Sequence, residues 1–255
     1  MKILKYLILF IGSLYYSQTV NDNAKKNYYQ KLIKDKFVTM EVYKGNKLSQ
    51  KYSYDKKNNK VILYDDSYKQ EIPNFLYKEY KLDSLYRIEE ENVIAKNDSI
   101  SKQNITYTNK KYEYHENYTV VNYLNKDSNP YMKEYTFYDD TSRIKESILF
   151  SSLVLQKRTT YLYDAKKNKI ISETQTFTHP RQTSTNYNGV DKYGYAISYS
   201  AILKVQVSMD KNQEIKSGKF FYENQYDSKG NLIKIFSKSK DGKKELIEER
   251  KIMYE

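Results

Sequence analysis

Apolar and polar residues alternate with a period of two through most of the chain after Phe37. The alternation is longest between residues 195 and 209, with Ile202 as its one exception. One face carries Tyr195, Ile197, Tyr199, Ala201, Leu203, Val205, Val207 and Met209, and the other carries Ser198, Ser200, Lys204, Gln206 and Ser208. Successive side chains of a strand point to opposite faces, so this pattern predicts a β-strand.

Short turn signals separate these alternating segments. Gly45-Asn46, Gly230-Asn231 and Asp241-Gly242 lie between them, and such pairs accept the positive φ that tight hairpins need. Helical periodicity is missing from the same region, which argues against the crossover connections of a parallel sheet. The sequence therefore predicts an all-β fold, an antiparallel hairpin meander forming a large curved or two-layer sheet.

A short N-terminal helix is expected before the first strand. Asp22 or Asn23 can cap it, and Ala24, Tyr28, Leu32 and Ile33 would share one face.

The first residues resemble a secretory signal. Lys2 and Lys5 precede an apolar run over residues 6–16, which is too short to span a bilayer but suits a signal peptide. A buried first strand or helix is the alternative. We expect residues 1–18 to be a signal peptide, residues 19–255 to be a single β-repeat domain, and the protein to be exported to the periplasm or the extracellular space. The sequence contains no cysteine, which excludes disulfides and a lipid anchor on cysteine.

The formal net charge of +12 suggests an acidic partner. However, only five of the 44 basic residues are arginines, the better phosphate ligand, so solvated lysines on strand faces explain the charge more simply. Export also argues against nucleic acid. We expect a glycan or protein of the envelope or extracellular space as partner, no nucleic acid and no transmembrane span after signal removal. The oligomeric state is left open.

An aromatic-Asp pattern recurs before β-branched or leucine residues. It occurs in the segments Tyr52–Ile62, Tyr135–Ile144, Tyr161–Ile171 and Tyr222–Ile233. Asp can start a turn by accepting backbone N–H groups, and the aromatic ring can pack across the hairpin. These segments resemble the YD or RHS repeat family over about a third of the chain. The resemblance implies an exported or surface β-repeat protein, in some relatives linked to carbohydrate binding, and transfers no catalytic residue.

The sequence carries no motif of an enzyme or a cofactor site. Its two histidines, His115 and His179, are too few for a zinc site by themselves. The runs Asp65-Asp66, Glu89-Glu90-Glu91 and Asp139-Asp140 do not make a glycosidase pair, because neighbouring strand residues point apart. We expect no catalytic residue, no metal and no cofactor, and activity that survives chelators.

The segment 179–194 is the longest irregular stretch, and binding residues often lie on loops of rigid β scaffolds. A simple connector is the alternative. If the segment binds a ligand, its candidate residues are His179, Arg181, Tyr187 and Tyr193, with the tyrosines stacking on sugar rings.

Three functions stay open at this point. The first is an exported, non-enzymatic interaction module of the envelope or extracellular space, with a carbohydrate as one candidate ligand, which a curved sheet with an aromatic face would favour. The second is a secreted hydrolase, which a pocket with two facing carboxylates would favour. The third is an outer-membrane β-barrel, which a continuous outward apolar band would favour. Lysines scattered along most strands count against the third.

Overall fold

The structure is a computed structural model that describes residues 30–65, 68, 74–96, 104–178, 181–208 and 211–255. Residues 30–34 are helical, and strands make up most of the remainder. The strands are β1 (Phe37–Lys44), β2 (Lys47–Asp55), β3 (Lys60–Asp65), β4 (Phe75–Leu82), β5 (Ile88–Ala95), β6 (Ile105–Tyr114), β7 (Tyr118–Leu124), β8 (Pro130–Tyr138), β9 (Ile144–Ser151), β10 (Val154–Asp164), β11 (Lys169–Thr176), β12 (Gln182–Val190), β13 (Ala196–Ser208), β14 (Lys211–Lys216), β15 (Phe220–Tyr226), β16 (Leu232–Lys238) and β17 (Lys244–Tyr254).

Each strand except β14 pairs antiparallel with the next one along the chain, so the predicted antiparallel meander is confirmed. The strands β14 and β15 share one position, because both pair with β13, at its C-terminal half and at Ser198–Tyr199 respectively. The last strand, β17, pairs with β1 from Phe37↔Tyr254 to Lys44↔Glu248. Along the described strands, the sheet is thus a closed barrel with sixteen strand positions.

Closure corrects the predicted open curved or two-layer sheet. Alternation within a strand indicates that one face is buried, but it does not indicate which strand lies beside the first. Pairing β1 with β17 satisfies the backbone groups that two open edges would leave unpaired, and this favours the barrel.

The two ends of the barrel differ. One end holds the start of β1, the end of β17 and short turns such as 83–87, 139–143 and 227–231. The opposite end holds the ends of β3 and β5 and the starts of β4 and β6, and more residues separate these strands in the chain than separate strands at the first end. No helix among the described residues is long and apolar enough to cross a bilayer.

A five-residue turn recurs between strands. Its first residue accepts backbone N–H groups from the residues two and four positions later, as Asp139 does from Thr141 and Arg143. The fourth residue has positive φ, as at Ser142 (60°) and Gly230 (75°). The same arrangement starts at Asp83, Asn125, Asp139, Asp191 and Asp227.

This turn explains part of the aromatic-Asp pattern and corrects the resemblance to YD or RHS repeats. Asp139 and Asp227 start the five-residue turn, whereas Asp164 caps a short 3-10 turn through Lys167 N. The four segments are therefore ends of ordinary hairpins in one closed barrel, closed by more than one kind of turn. Asp is favoured at such turns in any protein, because its carboxylate satisfies free backbone N–H groups. The resemblance and its repeat-family assignment are wrong.

The two faces of the closed sheet differ in chemistry. Strand register places a series of buried side chains on one face, which is the interior of the barrel. They include Val61, Leu63, Lys78, Glu91, Val93, Thr159, Ser172, Thr174, Asn186, Asn188 and Tyr199. The outward face carries ion pairs between neighbouring strands, among them Lys51–Glu41, Lys60–Glu79, Arg158–Glu146 and Lys234–Glu249.

The helical residues 30–34 lie at the end of the barrel that holds the start of β1. Leu32 and Ile33 are buried with Phe37, Met40 and Val61, so the predicted short N-terminal helix is present over the residues that are described. The proposed caps, Ala24 and Tyr28, as well as residues 1–18, lie outside the described residues. The signal peptide and the domain bounds therefore stay predictions.

Candidate functional site

A cleft opens in the barrel wall where β13 and β15 separate. The strand register between them covers Ser198↔Phe221 and Tyr199↔Phe220 and does not extend toward Tyr226. The opening forms a cleft of about 580 Å³, a volume within the usual range of ligand sites. Its walls come from the β12–β13 turn, β15 and the β16–β17 turn.

Side chains replace the missing backbone bonds at this seam. The Oδ1 atom of Asp191 accepts the N–H groups of Tyr193 (2.9 Å) and Tyr195 (3.0 Å) and so shapes the β12–β13 turn. Its Oδ2 atom accepts bonds from Asn224 Nδ2 at 3.0 Å and from the Tyr226 hydroxyl. Asn224 also donates to Ala196 O at 3.0 Å. The carboxylate of Asp191 thus joins the two diverging strands.

Tyr193 forms an aromatic surface beside the seam. Its ring lies 4.4 Å from that of Tyr226, centroid to centroid, and is 43% exposed. A Cβ atom at Gly230 would come within 3.3 Å of the Tyr193 ring. Glycine at this position therefore gives the ring the space that a larger side chain would take. Burial, followed by the bond to Asp191, raises the pKa of Tyr226, which keeps its hydroxyl a donor. Tyr193 therefore packs against Tyr226 and remains partly exposed to solvent.

Phe221 and Ile197 extend this apolar surface, at 37% and 40% exposure. Lysines surround it. Lys238 bonds Glu223 at 2.6 Å, and Lys244 bonds the same carboxylate at 2.8 Å. Bonds from these two lysines hold the pKa of Glu223 below its usual range, so it is ionised at neutral pH. The cleft combines exposed rings with cations.

The predicted ligand residues are only partly brought together. Tyr193 lines the cleft, whereas Tyr187 lies on the outward face of β12 outside it. Arg181 lies at the far end of β12, where its carbonyl accepts the N–H of Gln206. His179 lies outside the described residues. Ligand binding by these four residues stays a prediction.

Sequence reasoning missed Phe221, Lys238 and Lys240. Each belongs to a hairpin that is distant from Tyr193 in the chain, and their approach depends on where β13 and β15 separate. The one available signal was Lys219-Phe220-Phe221-Tyr222, a run of apolar rings that breaks the alternation.

A second polar cluster lies inside the barrel. Glu91 binds Lys78 at 2.9 Å and Lys110 at 3.2 Å, and it accepts a bond from Asn109 at 2.9 Å. Burial alone would raise the pKa of Glu91, but the two lysines outweigh it and lower the pKa to about 2. The cluster is a satisfied ion network that joins β4, β5 and β6.

Acid catalysis finds little support in the described residues. A glycosidase needs one carboxyl with a raised pKa beside a second, ionised one. The shifted carboxyl groups, including Glu223 in the cleft and Glu91 in the interior, all have lowered pKa values.

Comparison with known proteins adds two distant similarities. No family model and no curated protein matches the chain. A porin-like protein from Bacteroides vulgatus ATCC 8482 is 9% identical, with a TM-score of 0.33, 86% of this chain and 98% of that chain being covered. A porin-like protein from Bacteroides uniformis ATCC 8492 is 8% identical, with a TM-score of 0.35 and coverage of 85% and 96%. TM-scores this low carry no argument about the fold, and the assignment of a closed barrel is based on the strand pairing within this chain.

Proposed function

We propose that this chain is an exported β-barrel of the cell envelope that binds a glycan, without catalysis, in the seam cleft. The proposal takes its architecture from the barrel hypothesis, since the sheet closes, and its binding role from the interaction-module hypothesis. One observation carries it. The wall opens at the β13–β15 seam and presents Tyr193, Phe221 and Ile197 to solvent.

The chemistry of the cleft suits a sugar. Aromatic rings stack on the apolar faces of sugar rings while neighbouring polar groups bind hydroxyls. Tyr193 is held in place by Tyr226, so little side-chain freedom is lost when a ligand stacks on it.

Substitution of Tyr193 tests the binding role. We expect Tyr193→Ala to weaken glycan binding about tenfold, because the stacking surface is lost. Tyr64→Ala is the matched control, since Tyr64 is 45% exposed but lies on β3, away from the cleft. A glycan array followed by titration calorimetry measures both. Equal affinity of Tyr193→Ala and the unmodified protein would refute the assignment of the cleft.

A barrel that spans the outer membrane is the second candidate, and a separate observation favours it. The ring has an even number of strand positions, and the end that holds the start of β1 and the end of β17 has short turns; bacterial outer-membrane barrels share an even strand number and short turns at one end. Its outward face, however, carries charged pairs such as Lys51–Glu41 and Arg158–Glu146 along the wall. A lysine or arginine facing lipid at mid-membrane costs about 2–4 kcal/mol, which favours a wall that stands in water.

Partitioning separates these two candidates. We expect the mature protein to fold and stay monodisperse in buffer without detergent, because charged pairs solvate its outer wall. Ultracentrifugation with and without lipid vesicles measures this. Folding only in the presence of vesicles, with strands protected from protease, would replace the proposal by the membrane-spanning barrel.

A further inference from the structure

We infer that the seam cleft selects an acidic sugar, with Tyr193 as the stacking surface and Lys192 and Lys240 as the cations that bind its carboxylate. The inference rests on the proposed glycan-binding function and names the class of sugar.

The charges that line the cleft do not cancel. Asp191 accepts four hydrogen bonds that hold the turn and the seam, so its oxygen atoms are occupied. Glu223 is bound by Lys238 and Lys244. The acidic groups of the cleft are thus already used within the protein.

Two cations are left for a ligand. Lys192 and Lys240 line the cleft, and neither has a carboxylate partner among the described residues. The Lys192 ammonium lies over the Tyr193 ring, 4.9 Å from its centre, so a sugar that stacks there contacts this cation as well. A carboxylate on a sugar stacked on Tyr193 would therefore lie close to the ammonium groups that line the cleft.

The ring and the cations together define the ligand. An inorganic anion would use the lysines but leave Tyr193, Phe221 and Ile197 uncovered. A neutral sugar would cover the ring but leave Lys192 and Lys240 without a partner. A uronic acid has both an apolar ring face and a carboxylate, so it satisfies both parts of the cleft.

Three probes test this inference by titration calorimetry. They are a tetramer of galacturonic acid, its fully methyl-esterified form, which has the same rings without charge, and inorganic phosphate. We expect the acid to bind about tenfold more tightly than the ester, from two exposed charge contacts, and the difference to shrink at high salt. Phosphate should not compete.

A double variant, Lys192→Gln with Lys240→Gln, locates the effect. Both side chains are outside the Asp191 bonds that hold the seam, so we expect it to fold normally. It should bind the acid and the ester equally, whereas Lys133→Gln, on the outward face of β8, should keep the preference.

Equal binding of acid and ester by the unmodified protein would overturn the acidic-sugar inference and leave glycan binding intact. Failure of both oligomers to bind would also overturn the acidic-sugar inference, and failure of every glycan on the array would overturn the proposed function itself. Competition by phosphate would show that the lysines bind an anion without the sugar ring.

Discussion

Glu91→Gln is expected to destabilise the protein by about 3–5 kcal/mol, because it leaves the buried ammonium of Lys78 and the partly buried one of Lys110 without their counter-charge. The side chain of Glu91 is 4% exposed and that of Lys78 is 8% exposed, so water cannot replace the missing carboxylate. The free energy of unfolding falls because the lysine charges stay desolvated without a partner, and urea unfolding measures this change.

Glu90→Gln is the matched control. Glu90 is the neighbouring residue on β5, but it faces outward, where it pairs with the half-exposed Lys81 and Lys111. Exposed pairs of this kind contribute about 0–1 kcal/mol. Similar losses for both variants would contradict the assignment of interior and outward faces.

The pH dependence of the same variants gives an independent check. Because the folded state holds the pKa of Glu91 at about 2, below its ordinary value of 4.5, its ionisation stabilises the fold above pH 4.5. That contribution is lost as the pH falls from 4.5 toward 2. The difference in unfolding free energy between the unmodified protein and Glu91→Gln should therefore shrink over this range.

Asp191→Ala is expected to cost at least about 3 kcal/mol, since one carboxylate serves both the β12–β13 turn and the β13–β15 seam. Its removal leaves the Asn224 amide and the Tyr226 hydroxyl without their common acceptor. Hydrogen exchange should increase in β15, whose register with β13 covers only Phe220 and Phe221.

Asp139→Ala controls for the turn alone. Asp139 accepts the equivalent backbone N–H groups of Thr141 and Arg143, but its other bonds stay within its own exposed turn. We expect a cost of about 1 kcal/mol and no change in β15. Equal effects of the two variants would mean that the seam bonds of Asp191 contribute nothing.

The sequence predicted the local features of the fold and missed the global one. Alternation and turn residues indicated antiparallel hairpins, and Gly230 and Gly242 do adopt positive φ at hairpin turns. Closure depends on pairing Phe37–Lys44 with Glu248–Tyr254. Most strands of this chain share the same alternation, so the pattern does not indicate which strand pairs with either of these two segments. The aromatic-Asp pattern was misassigned to a family because Asp-led turns are common to many hairpins.

The sequence predicted only the part of the candidate site that lies in one hairpin. Tyr193 was singled out because it lies in an irregular segment rich in rings. Phe221, Lys238 and Lys240 reach it through the seam between β13 and β15, and no periodicity in the sequence indicates where two strands stop pairing.

Cross-linking β1 to β17 tests closure of the barrel directly. The chain has no cysteine, so a double variant with Glu41→Cys and Lys251→Cys contains only the engineered pair. These residues are register partners on the outward face, and directly opposed residues of antiparallel strands have the Cα separation that a disulfide requires. We expect nearly complete disulfide formation within the monomer under mild oxidation, measured by mass spectrometry. Glu41→Cys with Leu162→Cys, on the distant strand β10, should form none. A closed barrel requires this difference, whereas equally poor cross-linking of both pairs in the folded monomer would show that β1 and β17 are open edges.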